Sequence, residues 1–168
     1  MALGFKICLL TLSLVLLKLL VAVNAQGTTI GDKYYRVITL EKVNWYRAYQ
    51  LCAAANMKLA SIESESDLTA LKEFLFANSL LFNNYWLSGN NLASRSEYVW
   101  LYSGNKFSYT NWANNQPGNL ANRCTRTGAD LKWSADACTS AHYYICSRPV
   151  VPDCGVNGGC SSSYNLSY

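Results

Sequence analysis

The sequence has little of what an enzyme site needs. It contains one histidine, His142, and no glycine-rich loop of the kind that cradles phosphate. A hydrolytic triad would have to use His142 as its base, and a zinc site would have no second metal-type ligand near it in the sequence. We therefore interpret His142 as a structural residue and do not expect an enzyme.

Charge of one sign is also scarce. The 168 residues include 14 Lys and Arg and 10 Asp and Glu, and the formal net charge of +4 is spread along the chain. Binding to nucleic acid or to an anionic membrane surface requires a basic stripe, and the sequence has none. We therefore expect neither nucleic acid nor a membrane surface as a partner.

Only one long apolar run is present, at residues 7–23. It follows a basic start at Lys6 and precedes small residues that end at Ala25, the pattern of a secretory signal peptide cleaved after residue 25. The alternative is an uncleaved membrane anchor, but Lys18 leaves about eleven apolar-leaning residues before it, against the roughly 20 that a spanning helix needs. We expect a secreted, extracellular protein with no membrane span after cleavage.

The cysteines fit that location. Of seven, Cys8 leaves with the signal peptide, and the six that remain are an even number, which favours full pairing in an exported chain. Paired cysteines leave no free thiolate nucleophile. The remaining length suits a single domain.

Residue spacing predicts two helices. Asn44 can cap a helix over 45–55, with apolar residues on one face. Ser64 begins a capping box that uses Asp67 in place of the commoner Glu, followed by a second amphipathic pattern from Leu68 to Leu75. The predicted extended segments are residues 34–38, 59–62, 86–89, 131–134 and 142–147, and the first should pair near the C-terminal one.

The segment 89–123 is long for a loop in a compact domain, and such loops are usually functional or disordered. Trp100, Trp112 and Cys124 anchor it, so we expect it to be ordered. Residues 26–33 are predicted to be a linker, 34–147 a domain, and 148–168 a Pro/Gly/Ser-rich tail. In that tail, Cys154 and Cys160 are either a local clip or the remnant of an EGF-like module, and Asn165 begins a glycosylation sequon.

Several landmarks together resemble the C-type lectin-like domain. These are two early helices, the motif Trp86-Leu87-Ser88-Gly89 (similar to the family's Trp-Ile-Gly-Leu), a long loop, four cysteines in order, and the spacing from Trp133 to Cys138. The resemblance covers residues 34–147. It implies an α+β fold in which two helices flank small antiparallel sheets, with a long disulfide-anchored loop. It also implies nested disulfides, Cys52 with Cys146 and Cys124 with Cys138.

The resemblance further implies a sugar site in the long loop. Family members that bind sugar hold a calcium ion there, through the outer residues of a Glu-Pro-Asn or Gln-Pro-Asp triplet, a Glu two residues before the third cysteine, and a Trp-Asn-Asp motif. The matching positions here are Gln116-Pro117-Gly118, Asn122 and Trp133-Ser134-Ala135. None is a carboxylate, whereas calcium takes six to eight oxygens, several of them from carboxylates.

Asp136 does not repair this loss. It stands one residue late, and on a strand such an offset turns the side chain to the other face. We interpret it as a surface aspartate. We therefore expect no cofactor, and no calcium at the usual sugar site. Pro117 is retained, and in the family the peptide bond before it is usually cis.

The long loop is rich in amide side chains, which suit sugar hydroxyls but also suit tight turns. The predicted ligand-binding residues are Gln116, Asn119, Asn122 and Ser134. Tyr102 and Tyr109 are free to stack on a sugar or a partner, whereas Trp86, Trp100 and Trp112 match core positions. The predicted function is secreted lectin-like recognition of a glycan or glycoprotein through this loop. The alternative is a calcium-independent module that binds protein.

Overall fold

The computed structural model describes residues 25–121, 123–150, 153–154 and 160–161. The predicted signal peptide therefore lies outside the described residues except for Ala25, and so do Asn122 and Asn165. The described part contains no helix that is both long enough and apolar enough to cross a membrane.

The first predicted helix is confirmed as α1, Trp45–Ala54. The chain is extended at Asn44, and the side-chain oxygen of Asn44 accepts a hydrogen bond from the backbone N–H of Arg47 at 2.8 Å. This bond satisfies one of the donors that every helix leaves free in its first turn. Trp45, Ala48 and Cys52 form the buried face.

The second predicted helix is confirmed as α2, Glu65–Ala77. Ser64 caps it by accepting from the backbone N–H of Asp67 at 3.1 Å, and Glu65 and Asp67 place negative charge in the first turn, where the helix dipole favours it. Leu68, Leu71 and Leu75, at three- and four-residue spacing, pack into the core.

Eight strands form one sheet in the order β1-β2-β8-β4-β6-β7, with β3 on β8 and β5 on β4. Their bounds are β1 Ala25–Ile30, β2 Lys33–Val43, β3 Lys58–Leu59, β4 Tyr85–Asn90, β5 Val99–Trp100, β6 Arg123–Thr127, β7 Trp133–Ala137 and β8 His142–Pro149. The β4–β8 pairing is parallel and the others are antiparallel. The predicted pairing of the first strand with the C-terminal one is observed between β2 and β8.

Several expectations about extended segments need correction. Residues 26–30, expected to belong to a linker, lie in β1, which pairs with β2 along its whole length because Thr28, Thr29 and Ile30 favour extended backbone. Strand β6 was not predicted. Its buried residues are largely threonine rather than aliphatic, and both Thr125 and Thr127 are fully buried.

The strand predicted at 131–134 lies later, at Trp133–Ala137. Residues Ala129–Leu131 form a 3₁₀ turn instead, in which Asp130 and Leu131 have positive φ. The last strand is close to its prediction. In the tail, the backbones of Asp153–Cys154 and Cys160–Ser161 pair antiparallel, with Cys154 opposite Cys160.

Both predicted disulfides of the domain are confirmed. Cys52–Cys146 joins α1 to β8 with a Cα–Cα distance of 5.5 Å, and Cys124–Cys138 joins β6 to the end of β7 with a Cα–Cα distance of 5.1 Å. Two tryptophan side chains add hydrogen bonds, one from α1 to β4 and one from β4 to the end of β2. Trp45 Nε1 donates to Leu87 O at 2.8 Å, and Trp86 Nε1 donates to Val43 O at 2.9 Å. The α+β architecture expected from the sequence is therefore observed.

Candidate functional site

The long loop, described for residues 91–121, follows β4, contains the short strand β5, which pairs back on β4, and precedes β6. Asn91 closes its base. The buried Asn91 side chain donates to Leu120 O at 2.7 Å and to Arg95 O at 3.2 Å, and it accepts from the backbone N–H of Arg123 at 2.6 Å. Sequence reasoning missed this residue, since an asparagine after a strand is ordinarily a turn residue.

Aromatic side chains fill the inside of the long loop. The fully buried Trp133 is surrounded, with ring centroids 5.4–5.9 Å away, by four rings: Trp100, Phe107, Tyr109 and Trp112. Phe107 stacks on Trp100 with centroids 4.1 Å apart. These offset and edge contacts stabilise beyond the area they bury. This aromatic cluster is the physical reason to expect the long loop to be ordered.

The three tryptophans expected in the core differ in burial. Trp86 and Trp100 are buried, whereas Trp112 is half-buried. Trp112 packs edge-on against Tyr98, with ring centroids 4.9 Å apart, and leaves part of its ring at the surface. Tyr102 is 37 % exposed, but its hydroxyl accepts the Leu59 N–H, and Tyr109 is half-buried against Trp133, so neither ring is as free as expected.

Gln116 holds the loop against β7. Its side-chain oxygen accepts from the backbone N–H of Ala135 at 2.8 Å, and the Gln116–Pro117 peptide bond is cis, as the resemblance implied. Nearby, the Trp133 backbone donates to Asn111 O and accepts from the N–H of Ala113, both at 2.8 Å. The loop segment 111–117 is therefore fixed to β7 by three hydrogen bonds.

The four predicted ligand-binding residues are only partly brought together. Ser134 is half-buried on β7, next to the residue that Gln116 contacts. Asn119 is exposed on the loop, beyond the positive-φ residue Gly118. Asn122 lies outside the described residues. Sugar contact by these four residues remains a prediction.

Asp136 is not the surface residue that the sequence suggested. It is half-buried and accepts four hydrogen bonds, from Arg126 Nε at 3.1 Å, His142 Nε2 at 2.9 Å, Ser140 Oγ at 3.2 Å and its neighbour's backbone N–H at 2.7 Å. Asp136 therefore joins β6, β7 and β8 through its carboxylate. His142 also packs edge-on against Trp86, 4.7 Å between centroids, as a structural histidine would.

These contacts change the acidity of Asp136. Partial burial raises the pKa of the carboxyl group, but the hydrogen bonds from His142, the Ala137 backbone, Arg126 and Ser140 lower it more. The net pKa lies below its ordinary value. The charged form is thus the one that the fold stabilises.

An open depression of about 280 Å³ lies at the loop surface beside Pro117. Its lining combines the rings of Tyr98, Phe107 and Trp112 with the polar side chains of Ser96, Glu97 and Lys106. Lys106 Nζ is 2.6 Å from Glu97 Oε1, so the two charges offset each other. The depression is therefore aromatic and polar, with little net charge.

The hydroxyl of Tyr98 has no hydrogen-bond partner in the described structure, although it is buried. Burial raises the pKa of Tyr98, and the positive charge of Arg123 lowers it less. The phenol is therefore neutral at physiological pH and can both donate and accept a hydrogen bond. Such a group in the wall of a depression is suited to a ligand hydroxyl.

Within residues 25–121 and 123–150, no three His, Cys, Asp or Glu side chains lie close enough together to hold a metal ion. Two carboxylates near the loop are instead paired with cations, Glu97 with Lys106 and Asp136 with Arg126.

A family model described as "Lectin C-type domain" matches residues 41–148. C-type lectin mosGCTL-7 of Aedes aegypti is 33% identical over 78 residues, a match that covers 45% of this chain and 52% of that protein, or about half its length. C-type lectin 37Db of Drosophila melanogaster is 30% identical over 128 residues, covering 73% of this chain and 82% of that protein.

Among solved structures, the carbohydrate-recognition domain of human scavenger receptor C-type lectin superimposes with a TM-score of 0.66 at 20% sequence identity. The superposition covers 73% of this chain and 95% of that one. At this identity the likeness shows the fold alone.

Proposed function

The chain belongs to the C-type lectin domain family, and from this membership we propose that it is a secreted protein that recognises carbohydrate through the long loop, without the family's usual calcium ion. The observation that carries the proposal is the depression beside Pro117, where Tyr98, Phe107 and Trp112 meet three hydrogen-bonding side chains. Aromatic faces stack on the apolar face of a sugar ring, and polar groups around them bind its hydroxyls. We propose binding and no catalysis.

The oxygen atoms present do not fit the usual calcium ion. Gly118 and Ala135 have no side-chain oxygen, and Gln116 Oε1 already accepts the Ala135 N–H. The carboxylate of Asp136 is held by Arg126 and His142 on neighbouring strands. Calcium sites of extracellular modules depend on several carboxylate oxygens. Recognition in this protein therefore depends on direct hydrogen bonds and stacking.

A glycan array probed with the purified protein in calcium-containing buffer and in EDTA tests this proposal. We expect binding to neutral glycans that EDTA does not reduce. Binding that EDTA abolishes would overturn the calcium-independent part. Absence of binding in both buffers would overturn the carbohydrate part.

A pair of tyrosine variants tests whether the depression is the site. Tyr98→Phe removes only the unpartnered hydroxyl and keeps the ring, so we expect the affinity for the best glycan to fall about fivefold, the equivalent of about 1 kcal/mol for one hydrogen bond. Tyr109→Phe is the control, because Tyr109 belongs to the same aromatic cluster through its contact with Trp133 but does not line the depression. Equal losses in both variants would place the sugar elsewhere.

A specific observation favours a second candidate, recognition of a protein. Leu92 and Leu120 are 37% and 50% exposed on the long loop, whose two ends Asn91 holds together. Exposed leucines suit an apolar protein contact better than a sugar hydroxyl. A protein ligand whose binding is lost in Leu120→Ser and kept in Tyr98→Phe would favour this candidate.

A further inference from the structure

A second pocket, of about 220 Å³, shares no lining residue with the depression, although Trp100 of the pocket stacks on Phe107 of the depression. It forms where β3 and β8 meet the chain segment that follows β5. Lys58 and Leu59 of β3 lie opposite Ser147 and Cys146 of β8, and Tyr102 closes the side by accepting the Leu59 N–H through its hydroxyl at 3.3 Å. The sheet and the hydrogen-bonded tyrosine give the pocket a fixed shape.

The lining of this pocket is cationic. It contains Lys33, Lys58 and Arg148 against one carboxylate, Glu63. Lys33 is offset by Glu63 at 3.7 Å and by Asp67 at 3.3 Å. Over the described residues, neither Lys58 nor Arg148 forms a salt bridge, and each lies over a tyrosine ring instead, Lys58 over Tyr102 at 5.3 Å and Arg148 over Tyr34 at 5.2 Å.

A polar group without a partner lines the same pocket. Ser88 is 1% exposed, and its hydroxyl has no hydrogen-bond partner in the described structure. A buried hydroxyl left unpaired costs free energy that a bound acceptor recovers. Two unpaired cations and an unpaired hydroxyl around one cavity are complementary to an oxyanion.

We propose that this pocket binds the sulfate ester of an acidic polysaccharide. Pockets for drug-sized ligands start at about 300 Å³, so a cavity of this size holds one charged substituent while the rest of a longer chain runs over the surface. Tyr102, 37% exposed and in contact with Lys58 and Tyr49, adds an aromatic surface beside the charge for the sugar that carries the sulfate. Free sulfate shares the charge of the ester but cannot use this aromatic surface.

Binding of dextran sulfate, compared with uncharged dextran, tests the proposal. We expect the full-length protein to bind the sulfated polymer only, and Lys58→Gln and Arg148→Gln each to weaken this binding about tenfold, as expected for the loss of a charge-assisted contact. Lys42→Gln is the matched control. Lys42 also lies 5.3 Å from the centre of a tyrosine ring, that of Tyr143, but it does not line the pocket. An equal loss of affinity in Lys42→Gln would show that the polymer binds through general charge attraction, and it would overturn the assignment of this pocket as the site.

Two further arms complete the test. Ser88→Ala should weaken dextran sulfate binding without lowering the melting temperature, because the alanine leaves no unpaired group behind; unchanged affinity would overturn the role of the pocket interior. Inorganic sulfate, matched in sulfate concentration, should compete poorly with the polymer. If it competes equally well, the pocket is a site for the free anion and the polysaccharide assignment is wrong.

Discussion

At the scale of single residues, the carboxylate of Asp136 accepts four hydrogen bonds. This carboxylate contacts Arg126 of β6 and His142 of β8, so one side chain on β7 links three strands. A single sequence does not reveal this, because Arg126 and His142 stand on either side of it at separations of ten and six residues and converge only through the sheet. The sequence showed that Asp136 stands one residue after the position of the family motif, but it did not show which side chains Asp136 contacts.

Replacement of Asp136 tests this network. Asp136→Asn should lower the free energy of unfolding at pH 7 by about 1.5–3 kcal/mol, the range for hydrogen bonds to a charged group. Because the pKa of Asp136 is lower in the folded chain than its ordinary 3.8, its contribution is fully present above that value and is lost as the pH falls through the folded pKa. Urea unfolding of both proteins at pH 7 and near pH 2 should show the difference shrinking.

Asp130→Asn is the control for this experiment. Asp130 is exposed, and its only salt bridge among the described residues is with Lys72 at 3.4 Å, a surface pair of about 0–1 kcal/mol. Asparagine also tolerates the positive φ at this position. A difference between Asp136→Asn and the wild type that stays constant across the pH range would contradict the charged network.

Gln116 shows what the sequence could not distinguish at this scale. Its amide oxygen is retained at a position that matches a sugar-site ligand, and the structure places that oxygen on the Ala135 backbone. A glutamine in a loop is compatible with both roles, since it can donate and accept at once. Its predicted contact with sugar stays a prediction for the glycan experiment.

At the scale of elements, the helices were predictable, whereas strands β1, β5 and β6 were not. Both helices carry their apolar residues at three- and four-residue spacing behind a capping side chain, so the pattern alone indicated them. Strand β6 reads Arg-Cys-Thr-Arg-Thr, and its burial depends on the cover that β4 and β7 supply from other parts of the chain. The residues of β6 alone do not show that neighbouring strands will bury them.

Gly89 of β4 sets how closely the long loop packs on the sheet. A Cβ at this position would meet Phe107 Cζ and, at 2.6 Å, Thr125 Oγ1. Gly89→Ala should therefore displace Phe107 from its stack on Trp100 and lower the free energy of unfolding by about 1–3 kcal/mol, the usual cost of overpacking. Urea unfolding measures the loss, and near-ultraviolet circular dichroism reports the aromatic cluster.

Gly128→Ala is the control for this element. The nearest atom to its Cβ would be Arg126 Nη1 at 3.4 Å, the far end of a flexible side chain, and its φ is not positive. We expect a change within about 0.5 kcal/mol. A spectrum of Gly89→Ala identical to that of the wild type, with unchanged stability, would show that the loop does not depend on this close approach.

At the scale of the whole molecule, the order of cysteines and the position of Trp133 were enough to identify the family and the two disulfides of the domain. The pairing followed from the resemblance and not from the count, since four cysteines allow three pairings. The folded molecule has two surfaces that differ in charge. The loop depression has offset charges, whereas the pocket beside β3 and β8 keeps unpaired cations.

The two bridges should differ in their contribution to the stability of the whole domain. Cys52–Cys146 closes a sequence separation of 94 residues and Cys124–Cys138 one of 14. The loop-entropy model gives about 4.7 kcal/mol for a loop of the first size and about 3 kcal/mol for the second. Double serine variants of each pair, unfolded in urea, should therefore rank with the long bridge as the costlier loss. The short bridge joins β6, which follows the long loop, to the residue after β7, so its removal should weaken the proposed glycan binding at a temperature where the domain remains folded. A short-bridge variant that is the less stable of the two, or one that binds glycan as the wild type does, would contradict this division between scaffold and site.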